Sequence, residues 1–288
     1  MAELTTHTLE VPGAVLTYDI RESPDTNAPL LLIGSPMGAA GFGSLAKHFT
    51  DRTIVTYDPR GSERSTKPDM TSLSTPDDHA DDLHRIIQQL GHGPVDLFAS
   101  SGGAVNALAL VAKHPENVRV LVAHEPPIAS VLPDREYALA ACRAVHETYM
   151  RSGFGAGMAH FIVVVSHQGE FPADFARQPA PDPGMFGMPT RDDGNRTDPL
   201  MGQNMVSSTH YEPNYDTLRT VSTKIVLAAG VESEGILPSR AAHAVAALLG
   251  TKVGVFPSGH SGFLGGEYGQ TGEPDAFAAT LCEALQEA

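Results

Sequence analysis

The chain contains no tryptophan and only two cysteines, Cys142 and Cys282, 140 positions apart. Two thiols so separated form neither a disulfide framework nor a metal-ligand spacing, so reduced thiols and a cytoplasmic protein are expected. Basic residues are scarce. Nineteen Lys and Arg face thirty-four Asp and Glu, a formal charge of −15. Such a chain repels phosphate backbones, which argues against nucleic acid as a partner. No apolar run approaches the eighteen residues that read as a membrane span. The first residues, MAELTTHTLEVPGA, show neither a basic segment nor an apolar one of the secretory kind. No repeat and no heptad pattern is present.

What is present is a core former. Of 288 residues 41% are apolar and 18% charged, which excludes disorder as the main state. Short continuous apolar runs punctuate the chain: Leu30–Ile33, Thr53–Tyr57, Val95–Ala99, Val118–Ala123, Lys224–Ala229 and Lys252–Phe256. Runs of this kind suit strands buried on both faces of a parallel sheet. Leu9–Val11 and Val15–Ile20, around Pro12-Gly13, read as a hairpin before them. Helical patterns fall between the runs. Pro76–Leu90 has Thr75 as N-cap, Asp77 and Asp78 in its first turn, and Gly91 as its stop. Ala104–Lys113, Arg240–Leu249 and Asp275–Gln286 supply three more. Strand–helix alternation predicts an α/β fold with a mostly parallel central sheet flanked by helices, and sites then form at the strand C-terminal ends.

Between Glu125 and Thr223 the alternation stops. Residues 132–165 read as helical, with a glycine-rich interruption at 153–157. Residues 169–215 are loop-rich, since 12 of the 47 are Gly or Pro. Six of the nine methionines lie in 150–205. An insertion at 127–216 is therefore expected to cap a core made of 1–126 and 217–288. Most of its apolar side chains pack it onto the core. Met150, Phe154, Met158, Phe161 and Phe186 are candidates for contact with an apolar ligand, as is Pro36 below them.

The chemistry-bearing constellation begins where Val95–Ala99 runs into Ser100-Ser101-Gly102-Gly103 and a helix. Small-x-Ser-x-Gly between strand and helix is the nucleophile elbow: a strained turn lifts the serine hydroxyl above the sheet, and small residues two positions away let strand and helix approach. Ser101 is in register; Ser100 is one position out and should point elsewhere. A serine hydroxyl needs a base. His260, in Phe256-Pro257-Ser258-Gly259-His260, follows the last strand and fits. A carboxylate must orient it. The order serine, acid, histidine favours Glu232, just after the strand Lys224–Ala229. Glu125, in His124-Glu125-Pro126-Pro127, is the alternative from another strand end, and Glu234 a third. An oxyanion needs two backbone donors: Gly102, after the nucleophile, and Met37 in Gly34-Ser35-Pro36-Met37-Gly38, because Pro36 has no N–H. His146-Glu147-Thr148-Tyr149-Met150 lacks the second histidine of a zinc helix, and no dinucleotide or P-loop glycine motif follows a strand. No cofactor or metal is required by this reading.

Three blocks resemble the α/β-hydrolase superfamily: Asp58-Pro59-Arg60-Gly61-Ser62-Glu63-Arg64-Ser65, the Ala99–Gly103 elbow, and the late acid–histidine pair. Gly34–Gly38 and His124–Pro127 look most like an actinobacterial group within it. The resemblance covers nearly the whole chain and implies the α/β-hydrolase fold, with a helical and loop-rich cap after strand 6. It departs from the family pattern at Ala99, Gly34-Ser35, Glu63 and Glu232. A serine rather than an aspartate at the elbow argues against epoxide and haloalkane chemistry. The expectation is a serine hydrolase acting on an ester, lactone or related carbonyl bond of a medium-sized hydrophobic substrate. The rivals are a cofactor-free perhydrolase or oxidoreductase, a C–C bond hydrolase, and a non-catalytic binder of apolar ligands. Oligomeric state is left open, a homodimer among the options.

Overall fold

The computed structural model describes residues 3–286. Eight strands form one sheet in the order β1-β2-β4-β3-β5-β6-β7-β8. β1 (Leu4–Val11) and β2 (Ala14–Arg21) are the hairpin, longer than its apolar alternation suggested, and β2 joins β4 (Ile54–Asp58) antiparallel. The other pairings are parallel and use β3 (Leu30–Ile33), β5 (Val95–Ser100), β6 (Val118–His124), β7 (Lys224–Gly230) and the short β8 (Gly254–Phe256). The parallel strands direct all their C-terminal ends to one edge.

Alternate residues of these strands feed two separate cores, as the period of two requires. Leu31, Ile33, Leu97, Ala99, Leu121 and Ala123 pack with α2 (Pro76–Leu90), α3 (Gly102–Lys113) and the C-terminal part of α7 (Leu237–Leu249). Leu30, Leu32, Phe98, Val120, Val122 and Phe256 pack on the other face with α1 (Gly43–Ala46) and α8 (Pro274–Gln286). α2 is held as its sequence implies, with a Thr75–Asp78 capping box and Gly91 in the left-handed region. Asp96 of β5 is fully buried and bonded by Arg52 (2.9 Å) and Arg119 (2.6 Å). That pairing anchors the sheet at the edge opposite the strand C-terminal ends.

The stretch between β6 and β7 is an excursion with its own apolar cluster: Cys142, Val145, Tyr149, Phe171, Met201 and Met205, joined to Leu237 and Ala241 of α7. Its main element is α4 (Arg135–Val165). The break within it is confined to Gly153, whose φ of 83° no other residue type adopts readily. Past the break, Gly155 lies against the Pro189 carbonyl so closely that a Cβ would overlap it. Two short helices, α5 (Met205–Ser207) and α6 (Tyr215–Leu218), lead back to β7. A π-helical turn, Leu200–Asn204, precedes α5. The inbound and outbound crossings meet: Ala129 N–H donates to Thr209 O (2.9 Å) and Ser130 Oγ to Tyr211 O (2.8 Å). Among the described residues no helix is long and apolar enough to cross a membrane.

The Gly155 contact yields a stability prediction. Gly155→Ala should lower unfolding free energy by about 2–3 kcal/mol, because the Pro189 loop must move to admit a methyl group. Chemical denaturation of the variant with an unchanged midpoint would show that the loop accommodates it.

Candidate active site

β5 ends at Ser100, and Ser101 follows with φ 56° and ψ −129°, outside every region that a serine prefers. The strain is held from two sides. Ser101 N–H continues the ladder to His124 O (3.0 Å), and Ser101 O accepts from Ala104 N–H (2.9 Å) in the first turn of α3. Gly103 makes the turn sterically feasible: a Cβ there would stand 2.8 Å from Gly34 Cα, so α3 rests directly on the loop after β3. Ser101 is half-exposed, whereas Ser100 is buried with Oγ 3.3 Å from His124 Nδ1.

The partner of His260 is Glu125. Glu125 Oε2 lies 2.5 Å from His260 Nδ1, and Oε1 accepts from Gly230 N–H at 2.8 Å. The structure therefore brings the alternative carboxylate, Glu125, and not the favoured Glu232, to His260. The cause is local backbone. Beyond β7 the chain turns at once into a 3-10 segment, Val231–Ser233, which leaves Glu232 exposed with its carboxylate on Ser258 Oγ (3.2 Å). Glu125 has φ 50°, a left-handed residue directly after β6, and is fully buried at the end of that strand. Its N–H meets Ala228 O (2.9 Å), so it is fixed between β6 and β7. Glu234 is exposed.

The electrostatics follow from this placement. Burial raises the Glu125 pKa, but the His260 bond and charge, His124 and the Gly230 N–H outweigh it and bring it down to about 2. Glu125 is thus an anion at any working pH. Beside that anion Nδ1 is the ring nitrogen that donates, which leaves Nε2 on the side away from Glu125. Among the described residues His260 Nε2 and Ser101 Oγ have no hydrogen-bond partner, each other included, and neither do the backbone N–H groups of Gly102 and Met37. Asp58 holds the Met37 loop by accepting from Ala39 N–H (2.8 Å) and is itself clamped by Arg64 Nε (2.6 Å). This gives the Asp58–Ser65 block a structural role.

Three residues escaped sequence reasoning. Asn204 Nδ2 donates to Ser35 Oγ (3.0 Å) and, with Ser208 Oγ, lies over Gly102. The π-helical turn that places Asn204 has no visible signature. The sequence places His124 beside Glu125 but signals no role for it. It is fully buried, ringed by Phe98, Phe256, Phe263 and Phe277, with its ring centre 6.0 Å from that of His260 and Nε2 unpartnered. Of the apolar candidates, Phe154, Met158 and Phe161 are half-buried against the excursion's cluster. Met150 is 46% exposed, and Pro36 and Phe186 are half-buried.

Two groups have metal-ligand residue types at metal-ligand separations: His124, Glu125 and His260, and, at the other end of the sheet, His84, His114 and Glu116. In the first, both Glu125 oxygens are already committed to hydrogen donors. In the second, the Asn117 amide lies 2.6 Å from His84 Nδ1. Both groups are accounted for by hydrogen bonding.

A family model described as the alpha/beta hydrolase fold matches residues 30–266, and the chain belongs to that family. It is 30% identical over 263 residues to the uncharacterized hydrolase YraK of Bacillus subtilis strain 168, covering 89% of each chain. It resembles the solved structure of a thermophilic esterase from Thermogutta terrifontis with a TM-score of 0.66, at 19% identity and 99% coverage of both chains. A structure of the N-acyl homoserine lactonase AidH superposes with a TM-score of 0.61 at 22% identity, covering 99% of this chain and 97% of that one.

The buried imidazoles fix a pH response. Burial, outweighing Glu125, lowers the His124 pKa to about 4; burial and Arg60 lower that of His79 to about 3. The unfolded chain takes up these protons near pH 6.5, whereas the folded chain does not until pH 4 or below. Unfolding therefore binds protons in that window, and stability falls as pH drops from 6.5 to 4. Thermal melts should show a fall of several degrees over that range, smaller in His124→Phe. A Tm that holds or rises on acidification would contradict buried neutral histidines.

Proposed function

We propose that the protein is a serine hydrolase of carbonyl substrates, with Ser101 as nucleophile, His260 as base and Glu125 as the orienting acid. The observation that carries this reading is the convergence at one sheet edge of a strained serine and a histidine locked to a buried carboxylate. His260 Nε2 takes the Ser101 proton as Oγ attacks the carbonyl carbon. Glu125 stabilises the imidazolium without accepting its proton. The Gly102 and Met37 N–H groups stabilise the oxyanion. Collapse expels the leaving group, which receives the proton from His260. Water deprotonated by His260 then releases the acyl group and restores Ser101.

The bond class is an ester or lactone. Both the −15 net charge, which disfavours anionic substrates, and the half-buried Phe154, Met158 and Phe161 of the excursion favour an apolar acyl or ring substrate. In this reading the excursion caps the site.

A fluorophosphonate should add once to the wild type, as read by intact mass, and not to Ser101→Ala. That variant should lose about 10⁶ in kcat. A folded wild type that forms no adduct would overturn the assignment. Glu125→Gln should cost about 10⁴ in kcat, while Glu232→Gln should stay within a few-fold of wild type. The reverse ranking would restore Glu232 as the acid. Across p-nitrophenyl esters, apolar acyl groups should turn over faster than charged ones. A preference for carboxylated acyl groups would remove the substrate class and leave the triad standing.

A further inference from the structure

The π-helical turn Leu200–Asn204 is tied to the core through Gln203. That amide accepts from Ser74 N–H (2.8 Å) and donates to Met70 O (3.0 Å) and Ser72 O (3.1 Å). The next residue, Asn204, reaches over Gly102, the first residue of α3. Turns of this rare winding recur at functional sites. Asn204 is 8% exposed, and its one side-chain hydrogen bond among the described residues runs from Nδ2 to Ser35 Oγ (3.0 Å). A primary amide nitrogen carries two hydrogens. Ser35 takes one, and the other has no partner.

The unspent hydrogen lies beside the elbow. A Cβ on Gly102 would stand 2.6 Å from Ser35 O, 3.1 Å from Asn204 Nδ2 and 3.3 Å from Ser208 Oγ. A side chain there would collide with the Ser35 carbonyl, so glycine leaves the space over this residue to polar groups. Ser208 is buried, and its hydroxyl has no hydrogen-bond partner among the described residues. Neither has the Gly102 N–H. Three donors around one residue thus lack an acceptor, which marks the place for an oxygen that a ligand brings. The loop after β3 sharpens the need. Pro36 has no N–H to offer. Ser35 O faces the same space and would repel an anionic oxygen unless donors outweigh it.

We propose that Asn204 is a catalytic residue: the Nδ2 hydrogen not held by Ser35 donates to the oxyanion, together with the Gly102 and Met37 N–H groups. This inference rests on the reading of Ser101 as nucleophile. As Ser101 Oγ adds to the carbonyl carbon, the π electron pair moves onto the carbonyl oxygen. That oxygen has to lie against Gly102 N–H, so the groups over Gly102 are its neighbours. Asn204 Nδ2 is the nearer of the two side-chain donors there. Its bond to Ser35 fixes the amide before reaction, and a donor that need not reorganise as charge develops is worth most in the transition state. The excursion then supplies part of the oxyanion site, which the sheet and its loops alone leave incomplete.

Two variants separate donation from mere attachment. Asn204→Ala removes the bond to Ser35 and the donor together. Asn204→Asp keeps a link to Ser35, whose hydroxyl can donate to the carboxylate, but has no N–H. Each should lose about 10²–10³ in kcat on p-nitrophenyl butyrate, with KM within a few-fold of wild type. Inhibition by a phenylalkyl trifluoromethyl ketone, which adds to a serine as a hemiketal, should weaken by the same factor. A crystal structure of that adduct on the wild type should place the hemiketal oxygen within hydrogen-bond distance of Asn204 Nδ2, a readout that stands even if the variants fail to fold. Near wild-type turnover by Asn204→Asp, a loss confined to KM, or a hemiketal oxygen bonded by backbone N–H groups alone would each overturn the proposal. Asn204 would then be a tie to Ser35, and the serine reading would stand. A wild type that neither hydrolyses esters nor forms the adduct would overturn both.

Discussion

A carboxylate with no exposed surface ends β6, and the geometry of the whole sheet edge depends on how its charge is supported. Glu125 has two donors, Gly230 N–H and His260 Nδ1. One comes from the adjacent strand and one from the loop beyond β8. Removing charge from water is costly unless each lone pair finds a donor, so the carboxylate demands that β7 and the His260 loop stand where they do. The same residue is left-handed, and so is Ser101, on the neighbouring strand end. Two unfavourable backbone conformations thus lie side by side, bonded through Ser101 N–H and His124 O. Such strain persists only where the surroundings over-determine it, and it concentrates at working sites.

The two faces of the sheet divide the labour. Behind the site, His124 is a polar ring in an aromatic box whose side chain, among the described residues, bonds only Ser100. In front, the loop after β3 is secured by Asp58 and touched from above by Asn204. Ser101 and Glu125 therefore sit directly on strand ends and His260 on a loop held by Glu125, while the excursion reaches this edge through polar side chains of a single turn. Positions fixed by strand ends are held more tightly than positions fixed by free loops, which suits the role proposed for Ser101.

Much of this was legible in the sequence. Buried parallel strands leave continuous apolar runs, and all six predicted runs became strands. The elbow was legible because its steric demands fall on neighbours: Gly103 has to be small whatever the rest of the chain does. Which carboxylate meets His260 was not legible. Glu125 and Glu232 both follow strands on the correct edge, and chain order favoured the one that does not reach it. What separated them was the left-handed turn at Glu125 against the 3-10 turn at Val231–Ser233, a backbone difference of a few dihedral angles that neither residue type announces. The π-helical turn, Leu200–Asn204, was invisible for a related reason, since its residue types carry no pattern that distinguishes it from an ordinary helical turn or loop. The apolar side chains of 150–186 were legible as apolar but not as to what they face.

The crossings at Ala129–Thr209 and Ser130–Tyr211 carry a consequence for how such a chain can change over generations. A segment whose two ends are bonded to each other leaves and rejoins the sheet at one place, whatever contacts it makes beyond it. Lengthening, shortening or exchanging it leaves the register of β6 against β7 untouched. The sheet and the Ser101, Glu125 and His260 side chains at its edge can then stay constant while the segment between β6 and β7 diverges, so one frame can carry many different excursions.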